Sequence, residues 1–254
     1  MTMRDILHVY PTKREMSLAV ASRVAELAEQ AAGKRLRFIV ALSGGSLLDI
    51  LSPPLVKNPL GASVDWSAWE VFWVDERCVP LTSPESNFAA AERLLFKNVN
   101  IPRNQIHAVD TSQGPRAAAR SYQATIRDVL QPAAGRLPRF DLILLGMGED
   151  GHTASLFPGD ALLQEKRKWV APVMNAPKRP LERITLTLPI INNAREVIFV
   201  VSGEGKAARL REVFHAPDHG QGPPAALVSP TDGTLKWFVD SSAAGQLMPL
   251  PEES

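Results

Sequence analysis

Phe140-Asp141-Leu142-Ile143-Leu144-Leu145-Gly146-Met147-Gly148-Glu149-Asp150-Gly151-His152-Thr153-Ala154-Ser155-Leu156-Phe157-Pro158-Gly159 decides how this chain is read. The stretch opens as a continuous apolar run bounded by Pro138 and Gly146, the pattern of a strand buried on both faces. It closes in glycines, two acids and a histidine. A buried strand that runs straight into a flexible polar turn is where an open α/β sheet places its chemistry, because ligands bind outside the carboxyl ends of the strands. Five titratable or hydroxyl groups, Glu149, Asp150, His152, Thr153 and Ser155, fall within seven residues there.

On either side of this stretch, strands alternate with helices. Ile6 to Tyr10 is a short strand stopped by Pro11, and Thr12 to Ala32 is an amphipathic helix with Gly33 as its stop. Phe38 to Leu42 is a strand running into Ser43-Gly44-Gly45-Ser46. A helix with a capping-box-like start, Ser46-x-x-Asp49, is expected to end near Leu51, before Pro53. Trp69 to Val74 is a third strand, ending at Asp75-Glu76-Arg77. Asn87 to Lys97 and Arg116 to Leu130 are helical, with a minor strand at Ile106 to Val109 between them.

After Pro158 the texture is β-like. Trp169 to Val173 and Arg183 to Leu188 have no crossover helix between them and are expected to be antiparallel. Glu196 to Val201 is a strand, Lys206 to Phe214 a helix, and Ala225 to Ser229 and Leu235 to Val239 are final strands. The pattern predicts a doubly wound, mainly parallel Rossmann-like sheet with helices on both faces and a small antiparallel β region. No internal repeat or low-complexity linker interrupts it. Residues 1–254 are therefore read as one domain, with 158–190 as a lid or small β subregion.

Composition narrows the function classes. With 254 residues and 45% hydrophobic content the chain can bury a sizeable core, and a 22% charged fraction argues against disorder. A net charge of +1 implies no nucleic-acid or membrane partner. A single cysteine, Cys78, excludes a disulfide framework and suits a reducing compartment. Met1 to Tyr10 carries Arg4 and Asp5 and lacks an uninterrupted apolar segment, so no secretory signal is expected, and no apolar run approaches a membrane span. The expectation is a cytoplasmic protein, a monomer or weak homo-oligomer.

Each candidate site has a bland reading beside the functional one. Ser43-Gly44-Gly45-Ser46 lies between a strand and a helix start, where bare backbone N–H groups and the helix dipole together hold a phosphate; the alternative is an ordinary tight turn. It lacks the Lys-Ser/Thr ending of a Walker loop and the Gly-x-Ser-x-Gly of a nucleophile elbow. Gly146-x-Gly148-x-x-Gly151 matches a dinucleotide fingerprint literally, but Glu149 and Asp150 would repel a pyrophosphate and Pro158 arrives too soon for the packing helix. The glycines are better explained as a turn that aims His152. Asp150-Gly151-His152 sets a carboxylate beside an imidazole, the pairing that suits a general base. Asp75-Glu76-Arg77 ends another strand and can reach a polar ligand or neutralise itself. Lys206 begins a helix, where a cation opposes the dipole and calls for an anion. His215-x-x-x-His219 has a metal-ligand spacing, but Pro217 and Gly220 make it loop, and no metal site is expected. Cys78 has no local feature to activate it as a nucleophile.

Taken together, Leu42 to Ser46, Trp73 to Arg77 with Ser86-Asn87, Gly146 to Gly159, Arg183-Ile184-Thr185 and Gly205-Lys206 occur in the order seen in 6-phosphogluconolactonases. The resemblance runs from about residue 10 to 240, and the Asp150 to Pro158 run is its most specific part. It implies a fold like that of the glucosamine-6-phosphate deaminases and hydrolysis of 6-phosphogluconolactone, the second step of the oxidative pentose phosphate pathway, on a small phosphorylated substrate and with no cofactor. Carried over by motif, His152 is the general base on water and Asp150 orients it. Ser43, Gly44, Gly45, Ser46, Arg183 and Lys206 hold the phosphate. Arg77 binds the sugar or phosphate end or steadies the oxyanion. Asp75, Glu76, Asn87, Gly148, Gly151 and Thr153 complete the pocket. The rival is the deaminase, whose pattern carries a glutamate where this chain has Phe157 and reads Asp-Glu-Tyr where this chain has Asp75-Glu76-Arg77. A non-catalytic sugar-phosphate sensor is the further alternative, opposed by the retained Asp150 and His152.

Overall fold

The computed structural model describes residues 6–57, 60, 64–216 and 222–247. Arg4, Asp5, Pro217, His219 and Gly220, used above, lie outside them. In chain order the strands are β1 (Leu7–Tyr10), β2 (Phe38–Leu42), β3 (Trp69–Trp73), β4 (Asp75–Arg77), β5 (Leu142–Leu145), β6 (Val170–Val173), β7 (Arg183–Leu186), β8 (Glu196–Val201) and β9 (Thr234–Asp240). The helices are α1 (Lys13–Arg35), α2 (Ser46–Lys57), α3 (Asn87–Leu94), α4 (Gly114–Leu130), α5 (Leu188–Ile191) and α6 (Ala207–His215). No helix among the described residues is long and apolar enough to cross a membrane.

Six strands form one sheet in the order β1-β9-β8-β5-β2-β3, every pairing parallel. Every residue of β2, β5 and β8 is buried. Since successive side chains point to opposite faces, both faces of the sheet are covered. The chain runs outward from β2 to β3, then returns to the other side of β2 with β5 and continues to β8 and β9. The reversal lies between β2 and β5, the topological switch point where an open sheet leaves a crevice. A second sheet, β4-β7-β6, is antiparallel, as expected for the 169–188 region. Val74 is the corner between the two: its N–H donates to Leu42 in the large sheet (2.9 Å) and its carbonyl accepts from Leu186 in the small one (2.7 Å). Asp75-Glu76-Arg77 therefore does not end the third strand but starts a strand of the second sheet.

Four local expectations are corrected. The first helix passes through Gly33 and stops at Leu36, which takes a left-handed φ of 62° and donates to the Ala32 carbonyl. The basic Lys34 and Arg35 suit the helix's last turn. Helix α2 does not break before Pro53 but continues through Pro53 and Pro54 to Lys57. Pro54 has no N–H for the Ile50 carbonyl, and Ser17 Oγ supplies that bond from α1 instead (2.5 Å). The segment expected as a minor strand touches β3 through the single bridge Val71–Ile106, backed by His107 N–H on the Val71 carbonyl. Ala225 to Ser229 is not a strand: Pro224–Leu227 is a 3₁₀ turn, because consecutive prolines cannot donate to a ladder but fit a first helical turn.

Candidate active site

A cleft of about 210 Å³ opens at the carboxyl ends of β2 and β5. It is lined by Ser43, Gly44, Gly45, Ser46, Leu47, Asp75, Arg77, Asn87, Gly146, Met147, Gly148, His152, Ala154, Arg183 and Lys206. The two turns that leave the switch point are tied together where they begin, Ser43 N–H donating to the Leu144 carbonyl at 3.1 Å.

The turn after β5 is built around His152. Gly148 N–H donates to the His152 carbonyl (2.8 Å) and Gly151 N–H to that of Gly148 (3.0 Å). Thr153 Oγ1 closes the turn on the Gly146 carbonyl (2.9 Å). A Cβ on Gly148 would meet His152 Nδ1 at 2.2 Å and Asp150 Oδ1 at 2.6 Å, so the imidazole and the carboxylate both lie over the bare glycine. Gly151, at φ +80°, is pressed against Pro223, and its carbonyl accepts from Ala225 of the 3₁₀ turn (3.1 Å). Asp150 Oδ1 lies 2.5 Å from His152 Nδ1 and accepts the His152 backbone N–H at 3.2 Å. Burial pushes the Asp150 carboxyl up, but the hydrogen bonds from His152 together outweigh it and hold the group below the ordinary aspartate value. An ionised Asp150 accepts from Nδ1–H. That fixes the tautomer with its lone pair on Nε2, which has no hydrogen-bond partner among the described residues. Phe157 packs on the ring, centroids 4.8 Å apart, and limits how it can turn.

The other side of the cleft is cationic. Arg77 and Arg183 sit directly opposite each other in the β4–β7 ladder, a like-charge pairing that disfavours the sheet by itself. Arg183 is only 5% exposed. It donates to the carbonyls of Pro180 (2.9 Å) and Lys178 (2.7 Å), and its guanidinium lies 5.6 Å from the Phe157 ring centroid. Arg77 donates to the Glu85 carbonyl (2.6 Å), while its Nε is buried without a partner. Lys206, at the start of α6, donates to the Met147 carbonyl. Burial lowers the pKa of Arg183, with Arg77 adding to the effect and Asp75 opposing it; burial also lowers that of Lys206 against Glu149 and Asp240. None of these three cations makes an ion pair among the described residues. Facing them is the Ser43–Ser46 turn, which ends at the first residue of α2, where backbone N–H groups lack helical acceptors. Ser43 Oγ is buried and unpartnered.

Between the two sides lies a buried polar chain. Asp75 Oδ2 accepts from Ser155 Oγ at 2.6 Å, and Arg183 Nη1 reaches the same hydroxyl at 3.5 Å. Asn87 Nδ2 donates to the Asp75 carbonyl (2.8 Å), leaving Asn87 Oδ1 buried without a partner. Asn87 lies over Gly44 so closely that a Cβ there would come within 1.8 Å of Oδ1.

Three residues expected in the pocket stand behind it instead. Glu76, fully buried, accepts the N–H groups of Arg77, Asn87 and Phe88, each at 2.8 Å, and anchors the N-terminus of α3. Burial raises its pKa against those bonds. Gly151 and Thr153 shape the His152 turn without lining the cleft. Burial, with Glu182 and Glu76 nearby, pushes the Cys78 thiol up to about 12, which keeps it protonated and a poor nucleophile. Sequence reasoning missed Ser155 as a link and the Met147 carbonyl as a lysine acceptor. Ser155 is joined to a residue 80 positions away, and no local pattern carries that.

The profile of the family described as Glucosamine-6-phosphate isomerases/6-phosphogluconolactonase matches residues 11–237. The chain is similar to the 6-phosphogluconolactonase of Homo sapiens, 41% identical over 252 residues, covering 98% of this chain and 95% of that one. Its fold is similar to the solved 6-phosphogluconolactonase from Trypanosoma cruzi, with TM-score 0.85, 27% identity and 98% of each chain covered. A monomeric glucosamine-6-phosphate deaminase shares the fold alone, with TM-score 0.75 and 17% identity over 95% of this chain and 99% of that one. The chain belongs to the glucosamine-6-phosphate isomerase/6-phosphogluconolactonase family, on its 6-phosphogluconolactonase side.

Proposed function

We propose that this chain hydrolyses 6-phospho-D-glucono-1,5-lactone to 6-phospho-D-gluconate, the second step of the oxidative pentose phosphate pathway. One observation carries the reading: two guanidiniums oppose each other across β4 and β7 without an ion pair, in the same cleft as an Asp150–His152 dyad. The cationic side calls for a dianion, and the dyad supplies a base a short distance away.

In this reading the 6-phosphate is held by the Ser43–Ser46 turn, Arg183 and Lys206. Binding energy from that non-reacting end places the lactone carbonyl beside His152. His152 Nε2 takes a proton from water, and the water oxygen attacks C1. The tetrahedral intermediate collapses with cleavage of the ring C–O bond, and the imidazolium returns its proton to the departing ring oxygen. Asp150 holds the imidazole in the required tautomer. Arg77, on the cleft wall, binds the sugar or the developing oxyanion, and Asn87 and Asp75 border the sugar end. Hydrolysis by this route needs no cofactor. The chain is read as one α/β unit, a monomer or weak homo-oligomer of the cytoplasm, with 158–190, which holds the β6–β7 hairpin, as a lid or small β subregion. The near-neutral charge supports a small-molecule substrate over nucleic acid or membrane.

The test follows freshly generated lactone by coupling to 6-phosphogluconate dehydrogenase, with glucosamine 6-phosphate assayed in parallel for ammonia. Acceleration well above the spontaneous rate without ammonia release is expected. Ammonia without lactone turnover would restore the deaminase reading despite Phe157, and 6-phosphogluconate binding without either activity would make the chain a sensor.

A further inference from the structure

We propose that the opposite edge of the parallel sheet carries a second anion site, suited to a nucleotide with two or more phosphates. The cleft described above is built by the segments that leave β2 and β5. The segments that enter β2, β5 and β8 meet at the other end, and these three strands are neighbours in register, Val40 beside Leu142 and Leu142 beside Glu196. Each is entered through arginines: Arg35 and Arg37 before β2, Arg136 and Arg139 before β5, Arg195 before β8. All five line one hollow of about 360 Å³, within the size range of small-ligand sites.

A purely structural role accounts for part of this cluster. Arg37 donates to the Val129 carbonyl at 3.0 Å and closes the last turn of α4, and Arg35 ends α1 and pairs with Asp141 at 2.8 Å. It does not account for the rest. Asp141 is the one carboxylate lining the hollow, and it already accepts Arg35 and the Ile39 N–H (3.0 Å), with Arg195 Nε at 3.2 Å. Arg139 donates through both terminal nitrogens to Asp232, to its 91% exposed side chain (3.1 Å) and to its backbone carbonyl, while its own Nε is buried without a partner. The Arg136 guanidinium has no partner among the described residues.

The result is a concave concentration of positive charge on a chain whose total is only +1. Its many unfilled N–H donors have the planar geometry that binds phosphate oxygens in pairs. The remaining lining is largely apolar, with Leu130, Pro132 and Leu137 on it. A bare phosphate would leave that surface unused, whereas a diphosphate attached to a nucleoside covers it.

The experiment measures ADP binding to the intact protein by calorimetry, with pyrophosphate and adenosine as comparators. Expected is an order of affinity ADP, then pyrophosphate, then adenosine. ADP should bind about tenfold or more weakly to the Arg136→Ser/Arg195→Ser double variant. It should bind unchanged to Arg183→Ala, which alters the cleft at the other end. A measurement that needs no variant accompanies it: ADP should shield Arg136 of the unaltered protein from phenylglyoxal, read by peptide mass spectrometry. The proposal is overturned by no ADP binding at millimolar concentration, by equal binding to the double variant, by loss of binding in Arg183→Ala, or by no shielding of Arg136. Pyrophosphate binding as tightly as ADP would remove the nucleotide assignment. An oligonucleotide that binds through Arg136 where ADP does not would make the hollow a nucleic-acid surface.

Discussion

The two sheets meet at Val74 and are built on opposite terms. In the six-stranded sheet the central strands bury Val40, Ala41, Ile143, Leu144, Ile198 and Phe199, and each has a parallel neighbour on both sides. In the three-stranded sheet the buried residues include Asp75, Glu76, Arg183 and Thr185, and two arginines face each other across one ladder. Burying a charge without a partner costs stability that burying a leucine contributes. The difference teaches where each task resides: the parallel sheet holds the chain together, and the small sheet spends some of that stability on the charged groups that the proposed function assigns to a ligand.

The sharpest way to break the comparison is to cut the frame. Leu144→Ala, at a fully buried position of β5, is expected to cost about 2–5 kcal/mol in urea unfolding while leaving the KM of the folded fraction unchanged. A large KM change with little loss of stability would put the strand, and not the turns, in the role of a ligand contact.

This division also governs what could be read from the sequence. The apolar runs at Phe38 to Leu42 and Leu142 to Leu145 announce buried strands because burial on both faces leaves no polar alternation, and the turn glycines follow directly from them. Val74 as a corner was not legible, since nothing in Trp73-Val74-Asp75 says that the chain changes sheets. The continuation of α2 through Pro53 and Pro54 was hidden for a similar reason, because the compensating donor, Ser17, lies 33 residues earlier. Within the site, the Asp150–His152 pair and Arg77 are local and visible, whereas Arg183 is an isolated cation that only the family resemblance singles out. The confrontation of the two arginines across a ladder, the Ser155 link and the withdrawal of Glu76 behind the pocket are products of the fold.

A smaller effect tests the other sheet. Arg183→Met is expected to raise KM by about 10–100-fold, the equivalent of losing charge-assisted hydrogen bonds to a phosphate. Its unfolding free energy should stay within about 1 kcal/mol of the parent, because the substitution also removes the repulsion from Arg77. A marked loss of stability with unchanged KM would make Arg183 a structural residue.

The smallest effect concerns Glu76. Burial raises its native pKa, so the native state holds this proton more tightly than the unfolded chain, and its contribution to stability falls as pH rises. The advantage of the parent over Glu76→Gln should therefore shrink through a window that opens near the ordinary glutamate value of about 4.3 and closes at the raised native one. Urea unfolding at a series of pH values checks it. An advantage that grows with pH would show that the three N–H bonds outweigh burial.

The most direct measurement compares the parent with His152→Ala, following lactone hydrolysis in the coupled assay and 6-phosphogluconate binding by calorimetry on the same preparations. The account predicts a fall in turnover of about 10²–10⁴-fold with product binding essentially retained, because the proposal gives the phosphate to the turn after β2 and the cations and not to the imidazole. Turnover that survives the substitution would contradict His152 as the base, and binding lost together with turnover would contradict the separation of the anchoring side of the cleft from the reacting side.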